Sequence, residues 1–237
     1  MSIVSSPSPS MMPAIDATGV ARRFGASWVL RGLTLRVEPG EVVGLLGANG
    51  SGKSTLLRIL ATLLRPHAGS ARVCGHDVVV APGRVRESVG YLGHAPGLYD
   101  DLTARENLTF AAAMLDRDEH DADRALERVG LLDVGARPVR GFSSGMQRRL
   151  AIARLLLVRP RLLLLDEPYS NLDASGVSLM NSLIAEWASA GVAALVVLHE
   201  DTPAAGLLDR TVSIENGRIE STRRSRVEPA SPMAVRA

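Results

Sequence analysis

Apolar residues along the chain fall into short blocks whose spacing switches between the strand and the helix period. From about Ile15 to Val43 they alternate with polar ones, predicting two or three antiparallel strands with turns at Phe24-Gly25-Ala26-Ser27 and Glu38-Pro39-Gly40. The unbroken run Val42-Val43-Gly44-Leu45-Leu46 predicts a buried strand, and Ser54 to Leu64 has helical spacing until Arg65-Pro66 stops it. Ala71 to Cys74 and Ser88 to Leu92 have the length and composition of strands. The middle, from about Leu102 to Val158, is helical. Thr103-Ala104-Arg105-Glu106 is a capping box, Asp121 to Val129 carries a second helix, and a third runs from Ser144 to Val158 ahead of Pro160. Strand and helix then alternate through Leu162–Asp166, Ala174–Ala190 and Val192–Leu198 to a hairpin at Glu215-Asn216-Gly217. The pattern predicts an α/β core with an antiparallel β subdomain and a helical insert, and no internal repeat.

Composition narrows this only slightly. At 25.2 kDa and 46% hydrophobic residues, the chain can build one substantial core. A net charge of +2 is too mild to argue for nucleic acid. The lone Cys74 excludes an internal disulfide and reads as a small buried hydrophobe. No apolar run approaches the ~18 to 20 residues that span a bilayer. Residues 1–13, rich in Ser and Pro, read as a disordered tail, and 223–237 as a loose basic one. Between them, 14–222 reads as a single domain whose helical part covers about 96–158.

Charge becomes informative through its distribution. Of 27 Lys and Arg residues, one is lysine, Lys53. It lies in Gly47-Ala48-Asn49-Gly50-Ser51-Gly52-Lys53-Ser54-Thr55, which fits the phosphate-cradling pattern G-x-x-x-x-G-K-[ST] between a strand and a helix. Glycines let backbone amides close around an anion, and the helix N-terminus adds partial positive charge. The loop predicts binding of a nucleoside triphosphate, with Ser54 placed to hold Mg2+. Arg161 to Asp166-Glu167 is an apolar run ending in two carboxylates, as a buried strand presenting acids at its C-terminal end would be. Asp166 is the candidate Mg2+ ligand, through water, and Glu167 the general base that polarises the attacking water. The usual guanine-reading motif needs a second lysine, so the nucleotide is expected to be ATP.

Phe142-Ser143-Ser144-Gly145-Met146-Gln147-Arg148-Arg149 opens a helix with small hydroxyl residues and a glycine, a second anion-binding terminus. One ATP does not need two such cradles from one subunit, so the second is expected to serve a neighbour's ATP across a symmetric dimer. With these motifs the chain resembles the ATP-binding subunits of ABC transporters over essentially its whole length. Phe142 to Met146 is similar to their signature sequence, with Ser144 and Met146 replacing the commoner glycine and glutamine. The resemblance implies that Ser143 and Gly145 reach the γ-phosphate and that Phe24 stacks on adenine. It also implies that Ser170-Asn171-Leu172-Asp173 is the D-loop and that His199 is the switch histidine.

One departure is specific. The family has glutamine in the coupling loop where Tyr91-Leu92-Gly93-His94 places His94. With Ala95-Pro96-Gly97-Leu98 and Leu102-Thr103-Ala104-Arg105-Glu106-Asn107-Leu108, this stretch resembles the cytochrome c maturation branch, the heme-exporter ATPases. The resemblance implies a P-loop ABC ATPase fold, ATP and Mg2+ as cofactors, a homodimer, and a heme-handling pair of transmembrane permease subunits. It further implies peripheral attachment at the cytoplasmic face of the membrane and no nucleic acid. An ABC exporter for a drug, lipid or other small molecule would keep every catalytic assignment and lose only heme.

Overall fold

The computed structural model describes residues 12–118, 120–199 and 204–224. Its strands are β1 (Ile15–Phe24), β2 (Ser27–Val37), β3 (Val42–Leu46), β4 (Ala68–Val73), β5 (His76–Asp77), β6 (Val89–Leu92), β7 (Leu162–Asp166), β8 (Ala193–Val197), β9 (Arg210–Glu215) and β10 (Arg218–Arg224). Its helices are α1 (Lys53–Leu60), α2 (Pro82–Ser88), α3 (Ala104–Met114), α4 (His120–Arg128), α5 (Ser144–Leu156) and α6 (Ala174–Ser189). Four strands form an antiparallel sheet in the order β2-β1-β4-β5. Six form the second sheet in the order β10-β9-β3-β8-β7-β6, parallel from β9 to β6.

The unbroken apolar strands are explained by this second sheet, because both its faces are covered. In β7, Leu163 and Leu165 face a core shared with α3, α4, α5 and α6, whereas Leu162 and Leu164 face α1 and the antiparallel sheet. The same alternation splits β8, with Ala194 and Val196 on one side and Ala193, Leu195 and Val197 on the other. The fold class is as the sequence predicts.

Boundaries differ where local conformation overrides periodicity. Helix α1 stops at Leu60 rather than Leu64, since Thr62 takes φ 62° and its N–H turns back to the Ile59 carbonyl. Cys74 falls outside β4, in a turn at φ 49°, and is buried. Helix α2 has no counterpart in the pattern; it buries only Val85 and Ser88, too few to show a period. Strand β10 continues into the stretch read as a basic tail, because Arg223 and Arg224 pair with Thr211 and Arg210. The remainder of both predicted tails, 1–11 and 225–237, lies outside the described residues. Among the described residues no helix is long and apolar enough to cross a membrane.

Candidate active site

The glycine loop leaves the C-terminal end of β3 and enters α1 at Lys53. Gly47 sits at φ 145°, and a Cβ there would stand 2.4 Å from the Ile214 carbonyl oxygen and 2.8 Å from Ser51 Oγ. Gly52, the residue before α1, sits at φ 109°, where a Cβ would come within 2.7 Å of Leu30 Cδ2. The loop is therefore pressed between β9 and β2, and only glycine fits at both ends. Gly50, at φ 78°, faces open space. Lys53 is 6% exposed, and its Nζ donates to the carbonyls of Gly47 (2.6 Å) and Ala48 (3.0 Å). The buried Ser51 hydroxyl has no hydrogen-bond partner.

Two openings border the loop. A cleft of about 870 Å³ is walled by Gly47–Ser51, Trp28, Val29, His199 and the hairpin residues Glu215–Gly217. A smaller one, about 280 Å³, runs over Asn49, Lys53, Ser54 and Thr55 to Glu167. Beneath it Ser54 Oγ donates to Asp166 Oδ1 at 3.1 Å. Asp166 is 2% exposed, and burial raises its pKa above the ordinary carboxylate value, opposed by the Ser54 hydrogen bond. A buried carboxylate beside a hydroxyl, both hard oxygen donors, fits a small divalent cation such as Mg2+.

Adjacent parallel strands bring the other groups together. His94 follows β6, Glu167 follows β7 and His199 follows β8, and these three strands are neighbours in the sheet. Their C-terminal ends consequently deliver the side chains to one edge. Glu167 Oε1 lies 3.2 Å from His199 Nε2, its Oε2 lies 3.8 Å from His94 Nδ1, and Ser170 Oγ donates to Oε2 at 3.3 Å. Glu167 also holds φ 48°, a left-handed conformation rare for a side chain of its size. Such strain persists only where the surroundings over-determine it.

Ser143 and Gly145 stand elsewhere; neither lines the openings around Lys53. Ser143 caps α5, its Oγ accepting the Met146 N–H at 3.2 Å, and a Cβ on Gly145 would meet the Asn171 carbonyl at 2.9 Å. The signature segment thus rests on the Ser170–Asp173 turn, where Asp173 caps α6 and takes a hydrogen bond from Arg149 at 2.6 Å. Phe24 ends β1, 46% exposed, with the Arg22 guanidinium 4.9 Å from its ring centre. Trp28, paired with Arg23 across the turn and 43% exposed, lines the cleft, and no local feature of the sequence marks it for that place. Sequence reasoning also missed Arg148, which is 4% exposed and whose guanidinium donates to the carbonyls of Asp166 and Glu167. The first of two adjacent arginines carries no local mark of burial.

A phosphate cradle opening α1, a hydroxyl–carboxylate pair under it and a second carboxylate at the next residue define the P-loop nucleotide-hydrolase class. Within that class, the chain belongs to the ABC transporter family, whose profile matches residues 30–170. It is 40% identical over 210 residues to a daunorubicin resistance ATP-binding protein, DrrA3, of Streptomyces coeruleorubidus, covering 87% of this chain but 66% of that one. It therefore spans about two thirds of that relative's length. It is 39% identical over 195 residues to the cytochrome c biogenesis ATP-binding export protein CcmA 2 of Cupriavidus metallidurans, covering 81% and 92% of the two chains. Among solved structures it is similar to the ATP-binding subunit of an ABC transporter, with 27% identity, a TM-score of 0.82, and coverage of 89% and 90%.

Proposed function

We propose that this chain is the ATP-hydrolysing subunit of an ABC transporter, working as a homodimer beneath transmembrane permease subunits at the cytoplasmic face of a membrane. The observation that carries the proposal is Glu167, flanked by His94 and His199 and adjoining the opening over Lys53 and Ser54. Lys53 leaves the Gly47 and Ala48 carbonyls to meet the β- and γ-phosphates, and the loop amides complete the cradle. Ser54 and Asp166 are the residues that would hold Mg2+, whose charge neutralises the phosphates when bound. Glu167 takes a proton from the attacking water, while His199 holds the γ-phosphate and His94 serves where the family has glutamine. Ser143 and Gly145 contact the nucleotide of the partner subunit, so two bound ATP molecules close the dimer and hydrolysis reopens it. Each state binds the permease differently, which converts turnover into work on the membrane partner.

The permease contact we assign to an apolar groove of about 310 Å³ between the His94 loop and α3. It is lined by Tyr91, Gly97, Tyr99, Phe110, Met114 and Arg154 among others. Phe110 and Met114 are 48% and 73% exposed there, an apolar surface suited to a partner. For cargo we favour heme, by way of the cytochrome c maturation branch, on the Gly93-His94-Ala95-Pro96-Gly97 run. A drug or other small molecule is the second reading, favoured by the likeness to the daunorubicin resistance protein.

Glu167→Gln tests the ATPase reading: it should abolish turnover, keep ATP binding and stabilise an ATP-dependent dimer, and retained hydrolysis would sink the general-base role. The same variant, tagged and loaded with ATP, tests the cargo when used to capture partners from detergent-solubilised membranes of the host. Recovery of cytochrome-maturation membrane proteins with heme supports the first reading; recovery of an unrelated permease replaces it with the second.

A further inference from the structure

Arg148 is an almost wholly buried cation whose hydrogen bonds among the described residues all go to backbone carbonyls. Its Nη1 donates to the Gly93 carbonyl (2.7 Å), its Nη2 to the carbonyls of Asp166 (2.9 Å) and Glu167 (2.6 Å), and its Nε to Pro168 (3.3 Å). No ion pair within 4.0 Å accompanies these bonds among the described residues. Burial lowers the guanidinium's pKa, so the site bears a desolvation cost that the carbonyls offset. A core arginine chosen only for stability has no reason to pick these acceptors. They are the backbone of the two segments that carry Glu167 and His94.

Further along the same helix, Arg154 donates to the carbonyls of Pro96 (2.9 Å) and Gly97. Helix α5 thereby grips the His94 loop on both sides, at Gly93 and at Pro96–Gly97. Arg148 alone also holds the carbonyls on either side of the Glu167 Cα, whose φ of 48° needs restraint. The first turn of α5 contains Ser144 and Gly145, with Ser143 as its cap. One rigid element thus connects the signature residues, the hydrolytic carboxylate and the loop bordering the apolar groove.

We propose that Arg148 is a positioning residue that registers Glu167 and His94 to the signature helix. Engagement of the α5 N-terminus by the partner's nucleotide then sets hydrolytic geometry in α5's own subunit. The inference rests on the assignment of Glu167 as general base. Its chemistry requires a guanidinium: five donors in a planar fork can span carbonyls from two separate segments, whereas a lysine ammonium offers three donors at one point.

The test uses the full-length protein with the variants Arg148→Gln and Arg148→Lys, measuring kcat and KM for ATP hydrolysis and equilibrium ATP affinity. A displacement of about 1 Å at the reacting groups costs about 100-fold in rate. We therefore expect kcat to fall about 100-fold in Arg148→Gln with ATP affinity unchanged, and Arg148→Lys not to restore it. A folded Arg148→Gln with wild-type kcat, or one with a parallel fall in kcat and affinity, would each overturn the proposal.

Hydrogen exchange on Glu167→Gln needs no Arg148 variant to fold. ATP should slow the amides of 93–97 and 166–167 together with those of 143–147, and protection confined to 143–147 would overturn the coupling. Failure of the underlying reading is separate: it is retained turnover in Glu167→Gln, whatever Arg148 does.

Discussion

Gly47 and Gly50 lie in the same loop, both at positive φ, yet the structure assigns them different consequences on replacement by alanine. At Gly50 the added methyl meets nothing within 4 Å, so Gly50→Ala carries only backbone strain at φ 78°. Left-handed conformation costs an ordinary residue about 1–2 kcal/mol. At Gly47 the methyl would stand 2.4 Å from a backbone carbonyl of β9, an atom that cannot rotate away, and φ is 145°. Strain of about 1–3 kcal/mol adds to overpacking of about 1–3 kcal/mol, so Gly47→Ala should lose about 2–6 kcal/mol. For a chain of this size each kcal/mol moves Tm by about 2–4 °C. Thermal unfolding of apo protein should place Gly50→Ala about 2–8 °C and Gly47→Ala about 4–24 °C below wild type. Gly47→Ala should always be the lower. Titration with a fluorescent ATP analogue should show weakened binding in both, in Gly50→Ala because the open space is where phosphates lie. Equal Tm values for the two variants would refute the placement of β9 against the loop; undiminished affinity in Gly50→Ala would refute the cradle.

Three further outcomes follow from single contacts. Trp28 lines the cleft and Trp187 packs against the helical core, so ATP should change tryptophan emission in wild type and not in Trp28→Phe. A persistent signal in Trp28→Phe would have to come from Trp187 and would refute the placement of the nucleotide beside Trp28. Lys53 is the only lysine, and its Nζ is held by two carbonyls, so an amine-reactive probe should modify it slowly and ATP with Mg2+ should protect it. Peptide mapping showing unchanged modification would argue against the cradle. Thr103 Oγ1 accepts the Glu106 N–H at 3.1 Å while Glu106 accepts the Thr103 N–H at 2.8 Å, so Thr103→Ala should cost about 1 kcal/mol and leave kcat unchanged. Two bonds to the carboxylate, from the Thr103 backbone N–H first and then from the Thr103 hydroxyl at 2.8 Å, lower the Glu106 pKa below 4.5. The Glu106 carboxylate's part of the cap is accordingly full above pH 4.5 and lost as pH falls through the native value. Melting curves for wild type and Thr103→Ala should draw closer in that acid range without meeting, because the Glu106 N–H bond to Thr103 Oγ1 does not titrate.

The parts of the site legible in sequence were those written in contiguous residues. The loop Gly47–Thr55 is one segment whose glycines and lysine together fit the phosphate-cradling pattern. The run Leu162–Asp166 signals a strand covered on both faces, and therefore where Asp166 and Glu167 emerge. His94 and His199 were legible through the family resemblance, whereas their meeting at Glu167 depends on strand order. What stayed hidden depends on contacts distant in sequence. Nothing local says that Ile214 presses on Gly47, that Trp28 rather than Phe24 turns to the cleft, or that Arg148 is inside while Arg149 reaches Asp173 at the surface. Helix α2 was invisible for a simpler reason, since seven residues with two buried positions cannot display a period.

The distribution of cations follows from the same geometry. Under the proposed function Lys53 must both rest and move: its ammonium lies against the Gly47 and Ala48 carbonyls and would leave them when phosphate arrives. A compact charge on four rotatable bonds can do so inside a loop too tight for a Cβ at Gly47. Arg148 has the opposite task, to fix backbone from two separate segments at once, and a planar fork with rigidly spaced donors loses little freedom in doing it. Arg154 and Arg149 repeat that use, binding the carbonyls of Pro96 and Gly97, and the Val129 carbonyl together with Asp173. A chain with 26 arginines and one lysine can thus build its static clasps from one kind of cation and keep the other for the position where the charge has to travel.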